Sequence, residues 1–488
     1  MKIALIHCPV RHMVFSENLR VVDEEFCLAP PISLAYVAAI LERSGHQVIL
    51  IDAHALGLSK EQALERVLEF KPQLLGFRVD TYQFHQTLEW IRFLKQHTGI
   101  SVMIGGINLS LYPEESLNHA EIDYGIIGEA IEALPRFTQA LEKGLDLRPI
   151  EGVAYKVNGK VRINPPLKKP VDFDSYPFPS RHLLPNDRYY SFVSQRKNFT
   201  VMVTSKGCPY KCVFCAIANL PYSERSPLNV VDEIEQCCKS HNVREIDFFD
   251  AVFFLNRDRA IKICKEILKR KIDIEWSCRS RVDLVDEELL KTASSSGCRK
   301  IYYGIESADP EVLSAINKRV TLSQIKSAIE CSRKNGISTL GFFMLGSPHD
   351  DLDSVRRTIG LMRGLNLDFV QVCRTIAKPG TALDEMVKDK TGRDFWREYI
   401  AGETAPRQIE APWTELGRKE TEWHVKKAYI SFYLRPKYIF MRLSKAKSPG
   451  EIYRYIKVGI KMLVFLFVSD TAGKRKQQYI DKPKSGRP

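Results

Sequence analysis

Three thiols crowd into the stretch TSKGCPYKCVFCAIAN, Thr204 to Asn219: Cys208, Cys212 and Cys215. Disulfides cannot consume an odd number, and thiolates this close on one loop can converge on a metal centre instead. A structural zinc site takes four ligands, usually from two knuckles, and the sequence has no second Cys-x-x-Cys and no His-x-x-x-His to complete one. A cuboidal iron–sulfur cluster normally takes four cysteines, so three leave one iron without a protein ligand. An open position is what a reactive cluster needs, as catalytic zinc keeps one free. Phe214, just before the last thiol, would shield such a cluster and set its backbone beside whatever occupies that iron.

The thiols need a frame. From Phe199 the runs NFTVMVTSKG, REIDFFDA, DIEWSCRS, RKIYYGIES, STLGFFMLGSP and LDFVQVCRT read as six strands with amphipathic helical stretches between them. Six βα units without a glycine-rich nucleotide fingerprint predict a partial barrel over residues 199–385, with working residues at the C-terminal strand ends. The polar residues fall there: the cysteine loop, then Asp250, then Ser280 and Arg281, then Glu306 and Ser307. Cys373, late in the sixth strand, reads as a barrel-interior cysteine or as a hydrogen-atom donor near a substrate.

Residues 1–145 alternate KIALIHCP, HQVILIDA, LLGFRV and SVMIGG with helical patterns, which predicts a doubly wound parallel sheet. Ligands of such sheets bind beyond the carboxyl ends of the strands, where Asp80, Thr81, Gly105, Gly106, Gly128 and Glu129 lie. Residues 146–198 are rich in proline and read as a connector. Residues 386–488 read as mainly helical, with Ile452, Ile456, Ile460, Leu463 and Phe467 on one face of a basic stretch.

The cysteine motif, with an aromatic before its third thiol and SCRSRVD, YYGIESADPEVLSAINK, GFFMLGSP and KPGT following in order, resembles the radical S-adenosylmethionine (SAM) superfamily. That resemblance implies a [4Fe-4S] cluster on Cys208, Cys212 and Cys215, with the open iron chelated by SAM, which is split to a 5′-deoxyadenosyl radical. It places the Phe214 backbone at the adenine, Asp250 at the methionine amino group, and Ser280, Arg281, Glu306 and Lys318 at ribose and methionine contacts. Related chains often have two acids after the second strand, where FFDAVF supplies one.

PPISLAYVAAILERSGHQVILIDA, SVMIGGIN and YGIIGEA resemble the cobalamin-binding domain of radical enzymes such as the oxidative cyclase of bacteriochlorophyll synthesis and the hopanoid methylases. This implies cobalamin as a further cofactor, held at the six strand-end residues named above. Asp52-Ala-His54-Ala-Leu-Gly57 matches a cobalt-binding histidine motif, but that motif belongs after the first strand and here follows the second. The expected activity is cobalamin-dependent methylation of an unactivated carbon; oxidative cyclisation is the alternative, and a non-catalytic cobalamin or redox sensor the rival. Methylthiotransferases carry three further cysteines in this domain, where only Cys8 and Cys27 are available.

The net charge of +13 is local: residues 431–488 carry 14 lysines and arginines against three acids, leaving the rest close to neutral. No basic groove for nucleic acid is therefore expected. The expected partners are a small-molecule or lipid substrate and a reductant such as a flavodoxin or ferredoxin. The N-terminus reads as a first strand and not as a signal peptide, so a cytoplasmic protein is expected. The basic tail could reach an anionic membrane surface.

Overall fold

The computed structural model describes residues 1–9, 27–167, 172–191, 194, 196, 198–218, 220–404, 409, 411–444 and 460. Near-continuous apolar runs form the first sheet: β1 (Lys2–His7), β2 (Gln47–Asp52), β3 (Leu74–Arg78), β4 (Ser101–Gly105) and β5 (Tyr124–Ile126). They pair in parallel in the order β2-β1-β3-β4-β5, so the strand order reverses between β1 and β3. Helices α1 (Ile32–Arg43), α2 (Lys60–Phe70), α3 (Phe84–Thr98), α4 (Ile107–Leu111), α5 (Pro113–Asn118) and α6 (Ala130–Lys143) connect them. Leu34, Ala38, Leu134 and Phe137 of α1 and α6 bury against one face, and Val67, Leu88 and Ile91 of α2 and α3 against the other.

This sheet runs past the boundary expected at residue 145. β6 (Val153–Val157) adds antiparallel to β5, and β7 (Lys160–Ile163) adds antiparallel to β6. Asn158 and Gly159 between them both have positive φ, 49° and 77°, the backbone that a tight two-residue hairpin turn demands. The connector is correspondingly shorter.

The second sheet follows chain order, all parallel: β8 (Phe199–Met202), β9 (Glu245–Phe248), β10 (Glu275–Ser280), β11 (Cys298–Glu306), β12 (Ser338–Leu345) and β13 (Phe369–Arg374). Alternate residues Ile246, Phe248, Trp276, Ile301, Tyr303 and Phe343 face outward into one core. There they meet α7 (Pro227–His241), α8 (Arg257–Lys269), α9 (Glu287–Ser295), α10 (Pro310–Ala315), α11 (Leu322–Lys334) and α12 (Leu352–Gly364). With β8 and β13 at opposite edges, the sheet is an open partial barrel, as expected.

Beyond it come α13 (Ala382–Thr391), α14 (Phe395–Ala401), α15 (Arg418–Tyr433) and α16 (Pro436–Ser444). Trp396 and Ile400 of α14 join the core of the first domain. The hydroxyls of Tyr429 and Tyr433 on α15 accept from Val372 N and Val370 N at 3.0 Å each, satisfying the free edge of β13. Apart from Ile460, the residues named for the basic amphipathic stretch lie outside the described residues.

One buried charge cluster ties the parts together. Glu233 of α7, fully buried, pairs with Arg181 of the connector at 2.6 Å and with Arg225 ahead of α7. Arg181 also donates to Val201 O at 3.0 Å and Arg225 to Val203 O at 3.2 Å, on either side of the exit of β8. Burial opposes the charge on Glu233, yet the two guanidiniums hold its pKa below the usual carboxylate value.

Candidate cluster and cofactor sites

The cysteine loop leaves the end of β8 and is pinned at both ends. Ser205–Lys206 pairs antiparallel with Ser223–Glu224, closing its base. Its outer turns are held from other elements: Val213 N donates to Ile316 O at 3.2 Å, Asn317 Nδ2 to Lys211 O at 2.8 Å, and Leu383 N to Val213 O at 3.2 Å. Cys208 is buried and Cys212 and Cys215 are half-buried, and all three are free thiols. Phe214 packs against α13 and α14 residues including Leu383 and Phe395.

Among the described residues, no three Cys, His, Asp or Glu side chains gather closely enough to hold a single metal ion. Yet Cys215 feels the charge of Cys208, and Cys212 that of Cys215. Burial pushes the Cys212 and Cys215 thiols up, and neighbouring cations oppose it: Lys318 and Arg281 at Cys212, Lys378 and Lys318 at Cys215. Lys378, from the KPGT stretch, was not singled out in the sequence; only the folded chain brings it there.

Asp250 is fully buried, and its two oxygens accept from Thr204 N at 2.6 Å and Thr204 Oγ1 at 2.5 Å. Its carboxylate thereby holds the start of the cysteine loop.

Arg281, Glu306 and Lys318, by contrast, meet beside the loop. Lys318 Nζ donates to Glu306 Oε1 at 3.0 Å, both side chains 8 % exposed. Arg281 stacks 3.8 Å from the Tyr210 ring, binds Asp283 through two 2.9 Å hydrogen bonds, and donates to Lys318 O at 2.8 Å. Ser280 is buried at the end of β10, its hydroxyl donating to Arg281 O at 3.2 Å. Glu306 has φ +69°, where β11 slips its register against β12. A non-glycine residue held in that region marks a place where packing overrides local preference.

Gly304 makes the pair possible: a Cβ there would stand 2.5 Å from both Glu306 Oε1 and Lys318 Nζ. Gly304→Ala is expected to displace the pair and, if these residues hold SAM as the resemblance to radical SAM chains implies, to weaken SAM binding by about tenfold. Equilibrium dialysis against SAM checks this, with iron content unchanged.

At the other domain, a cavity of about 280 Å³ opens at the carboxyl ends of β1, β3, β4 and β5. Gly105, Gly106, Gly128 and Glu129 line it. Gly76 gives it depth: a Cβ there would lie 2.5 Å from Leu5 Cδ2 and 3.4 Å from Met103 Cε. Asp80 and Thr81 do not line it. Arg78 takes the rim position and pairs with Asp80 at 2.9 Å, while Thr81 is buried in the turn leading into α3. His54 also lies off the cavity, edge-on to His7 at 6.0 Å. Burial lowers the pKa of His7 to about 4. The cavity's outer wall comes from beyond the sheet: Phe173 and Tyr176 of the connector, and Val203 and Lys206 of the barrel.

Residues 202–362 match the Radical SAM superfamily, and residues 27–138 match the B12 binding domain. An uncharacterized methyltransferase of Pyrococcus horikoshii is 32% identical over 84% of this chain and 88% of its own. The chain belongs to the cobalamin-binding radical SAM enzymes. The anaerobic magnesium-protoporphyrin IX monomethyl ester cyclase of Rubrivivax gelatinosus is 28% identical over 74% of this chain and 67% of its own. Among solved structures, the radical SAM methyltransferase TsrM of Kitasatospora setae matches with TM-score 0.65 at 19% identity, covering 80% of this chain and 75% of that one. The cobalamin-dependent radical enzyme OxsB matches at 0.64 and 18%, covering 98% and 74%. At these identities the likeness is one of fold.

The cofactors of this radical SAM enzyme are thus a [4Fe-4S] cluster, SAM and cobalamin. Its barrel interior holds one pair that sequence reading missed. Arg279 donates to both oxygens of Asp247 at 2.9 and 3.1 Å and lies over the Phe249 and Tyr302 rings at 4.3 and 5.0 Å. Alternation in SCRSR carried the signal, since Ser280 closes the strand and Arg279 faces inward. Cys373 is half-buried and its thiol donates to Phe343 O at 3.7 Å, within the barrel wall.

Proposed function

We propose that this radical SAM enzyme is a methyltransferase that uses cobalamin to methylate an unactivated carbon of a small-molecule or lipid substrate. The observation that carries this reading is the shared wall: Lys206, which lines the strand-end cavity, stands two residues before Cys208. A group in that cavity and a group on the thiols would face one space, which transfer between them requires.

Cys208, Cys212 and Cys215 would ligate three irons. The side-by-side ammonium and carboxylate of Lys318 and Glu306 complement the carboxylate and ammonium of the methionine part of SAM, with Arg281 beside them and Ser280 and the Phe214 backbone toward the nucleoside. Gly105, Gly106 and Gly128 would let cobalamin approach the backbone, with Glu129 at the rim. When bound, the cluster supplies an electron for SAM cleavage and cobalamin supplies the methyl group. The chain's own share is to hold these groups in register, exclude water and position the substrate carbon. A small flavodoxin- or ferredoxin-type protein would deliver the electron.

Cyclisation without methyl transfer is the second reading, favoured by the likeness to the Rubrivivax cyclase. SAM carrying a deuterated methyl group, supplied to the reduced holoenzyme with fractionated small molecules and lipids, separates the two. A product carrying the labelled methyl supports methylation; a dehydrogenated or ring-closed product without label overturns it in favour of cyclisation.

A peripheral membrane contact is proposed from α16, whose outer face shows Ile439, Phe440 and Leu443, with Phe440 76 % exposed and Lys437 alongside. No helix among the described residues is long and apolar enough to cross a membrane. Deleting residues 436–488 is expected to abolish co-sedimentation with anionic vesicles; equal binding by both proteins would remove this contact.

A further inference from the structure

The strand-end cavity, about 280 Å³, opens to the outside on one side, and what closes it there decides how firmly a ligand is held. The floor and inner sides are sheet and packed helix, with Leu5, Met103, Ile126 and Leu134 in the domain core. The outer wall is different: Phe173, Tyr176, Val203 and Lys206 come from the connector and the barrel.

Three segments meet at one point on that wall. Lys206 Nζ donates to Glu129 Oε2 at 2.7 Å, and the Tyr176 hydroxyl donates to the same oxygen. The ammonium also lies 4.4 Å from the Phe173 ring centroid and 4.1 Å from that of Tyr176. Glu129 belongs to the first domain, the two rings to the connector and Lys206 to the base of the cysteine loop. The Lys206 and Glu129 side chains are 33 % and 44 % exposed, so water screens the pair and its hold is modest. That is the strength of a contact that opens and recloses, unlike the fully buried Arg181–Glu233–Arg225 cluster behind it.

We propose that Lys206, Glu129 and Tyr176 form a latch that opens to admit cobalamin and recloses to retain it, so that retention depends on the base of the cluster loop. This rests on the cobalamin reading of the cavity. The residues act by positioning: they close the wall and do not take part in bond making. Because Lys206 precedes Cys208 by two residues and its strand clasp with Ser223 sets where both stand, ordering the cysteine loop also orders the latch. By linkage, cluster assembly and cobalamin retention then favour one another.

The test is the dissociation rate of hydroxocobalamin from anaerobically reconstituted full-length protein, followed by its visible absorbance after dilution into a cobalamin scavenger, with iron per chain measured in parallel. Lys206→Met is expected to release cobalamin about tenfold faster, from loss of the ion pair together with the cation–π contacts, and Glu129→Gln about threefold faster, from loss of the ion pair alone. Lys206→Arg is expected to stay within about twofold of the parent, because it keeps the charge. The Lys206→Met, Glu129→Gln double variant is expected to release no faster than Lys206→Met alone, since the ion pair is already lost there. Unchanged release in Glu129→Gln overturns the latch, as do additive effects in the double variant. Should Lys206→Met lose iron, Glu129→Gln decides, since it lies in the other domain. If the parent protein itself takes up no cobalamin, the reading of the cavity falls, and the latch with it.

Discussion

Cys212→Ala protein is expected to emerge from anaerobic reconstitution without a stable cluster and to form 5′-deoxyadenosine at less than about one hundredth of the parent rate. The expectation comes from geometry as much as from motif. Cys212 sits at the outer turn of the loop, its thiol directed at Asn317 O at 3.8 Å, with the charges of Lys318 and Arg281 acting on it. It is one of the three proposed iron ligands, and its removal would leave those cations facing a methyl group. The backbone contacts that pin the loop, from Ile316, Asn317 and Leu383, do not involve the thiol, so the fold should survive. Iron and sulfide assays with chromatography of the reaction check both halves. Undiminished cleavage would remove Cys212 from the site.

Glu233→Ala is expected to be the most destabilising change outside the sites, by about 3–5 kcal/mol, because it strands two buried guanidiniums without their anion. That is a large share of the about 5–15 kcal/mol by which folded domains are stable. Arg181 and Arg225 are 1 % and 2 % exposed, so water cannot replace the lost carboxylate. The connector, α7 and the exit of β8 lose their common anchor together. Thermal unfolding followed by intrinsic fluorescence checks this, with Glu235→Ala on the exposed side of the same helix as the control. The depressed pKa of Glu233 fixes the direction with pH. Its stabilisation is fully present above the ordinary carboxylate value of 4.5 and is lost as pH falls through the lower folded value.

What the sequence shows depends on how far the deciding contact lies along the chain. The cysteine motif is local, and its three thiols and their strand are legible at once. The six barrel strands are legible from apolar runs, and the strand-end rule finds Arg281 and Glu306 before any contact is known. Gly105, Gly106 and Gly128 follow from the same rule. The contacts the sequence hides are long-range. Thr204 binds Asp250 from 46 residues away. Lys378, beyond the last barrel strand, opposes the upward shift at Cys215, and Arg279 finds Asp247 on the neighbouring strand. The hairpin that extends the first sheet is a different kind of miss. Its Asn-Gly turn is plain in the sequence, but the nearby prolines make the region read as connector. The reach of α14 into the first domain, with His85 and His119 meeting the carbonyls of Tyr399 and Ile400, has no local signature.

The central claim is that one chain holds a cluster and cobalamin on two sides of a shared wall. Its most direct test is metal content: anaerobic reconstitution with iron, sulfide and hydroxocobalamin, gel filtration, and quantification of iron and cobalt in the protein peak. About four irons together with one cobalt per chain are expected. Iron without cobalt would contradict the claim, leaving a radical enzyme whose strand-end cavity serves another ligand.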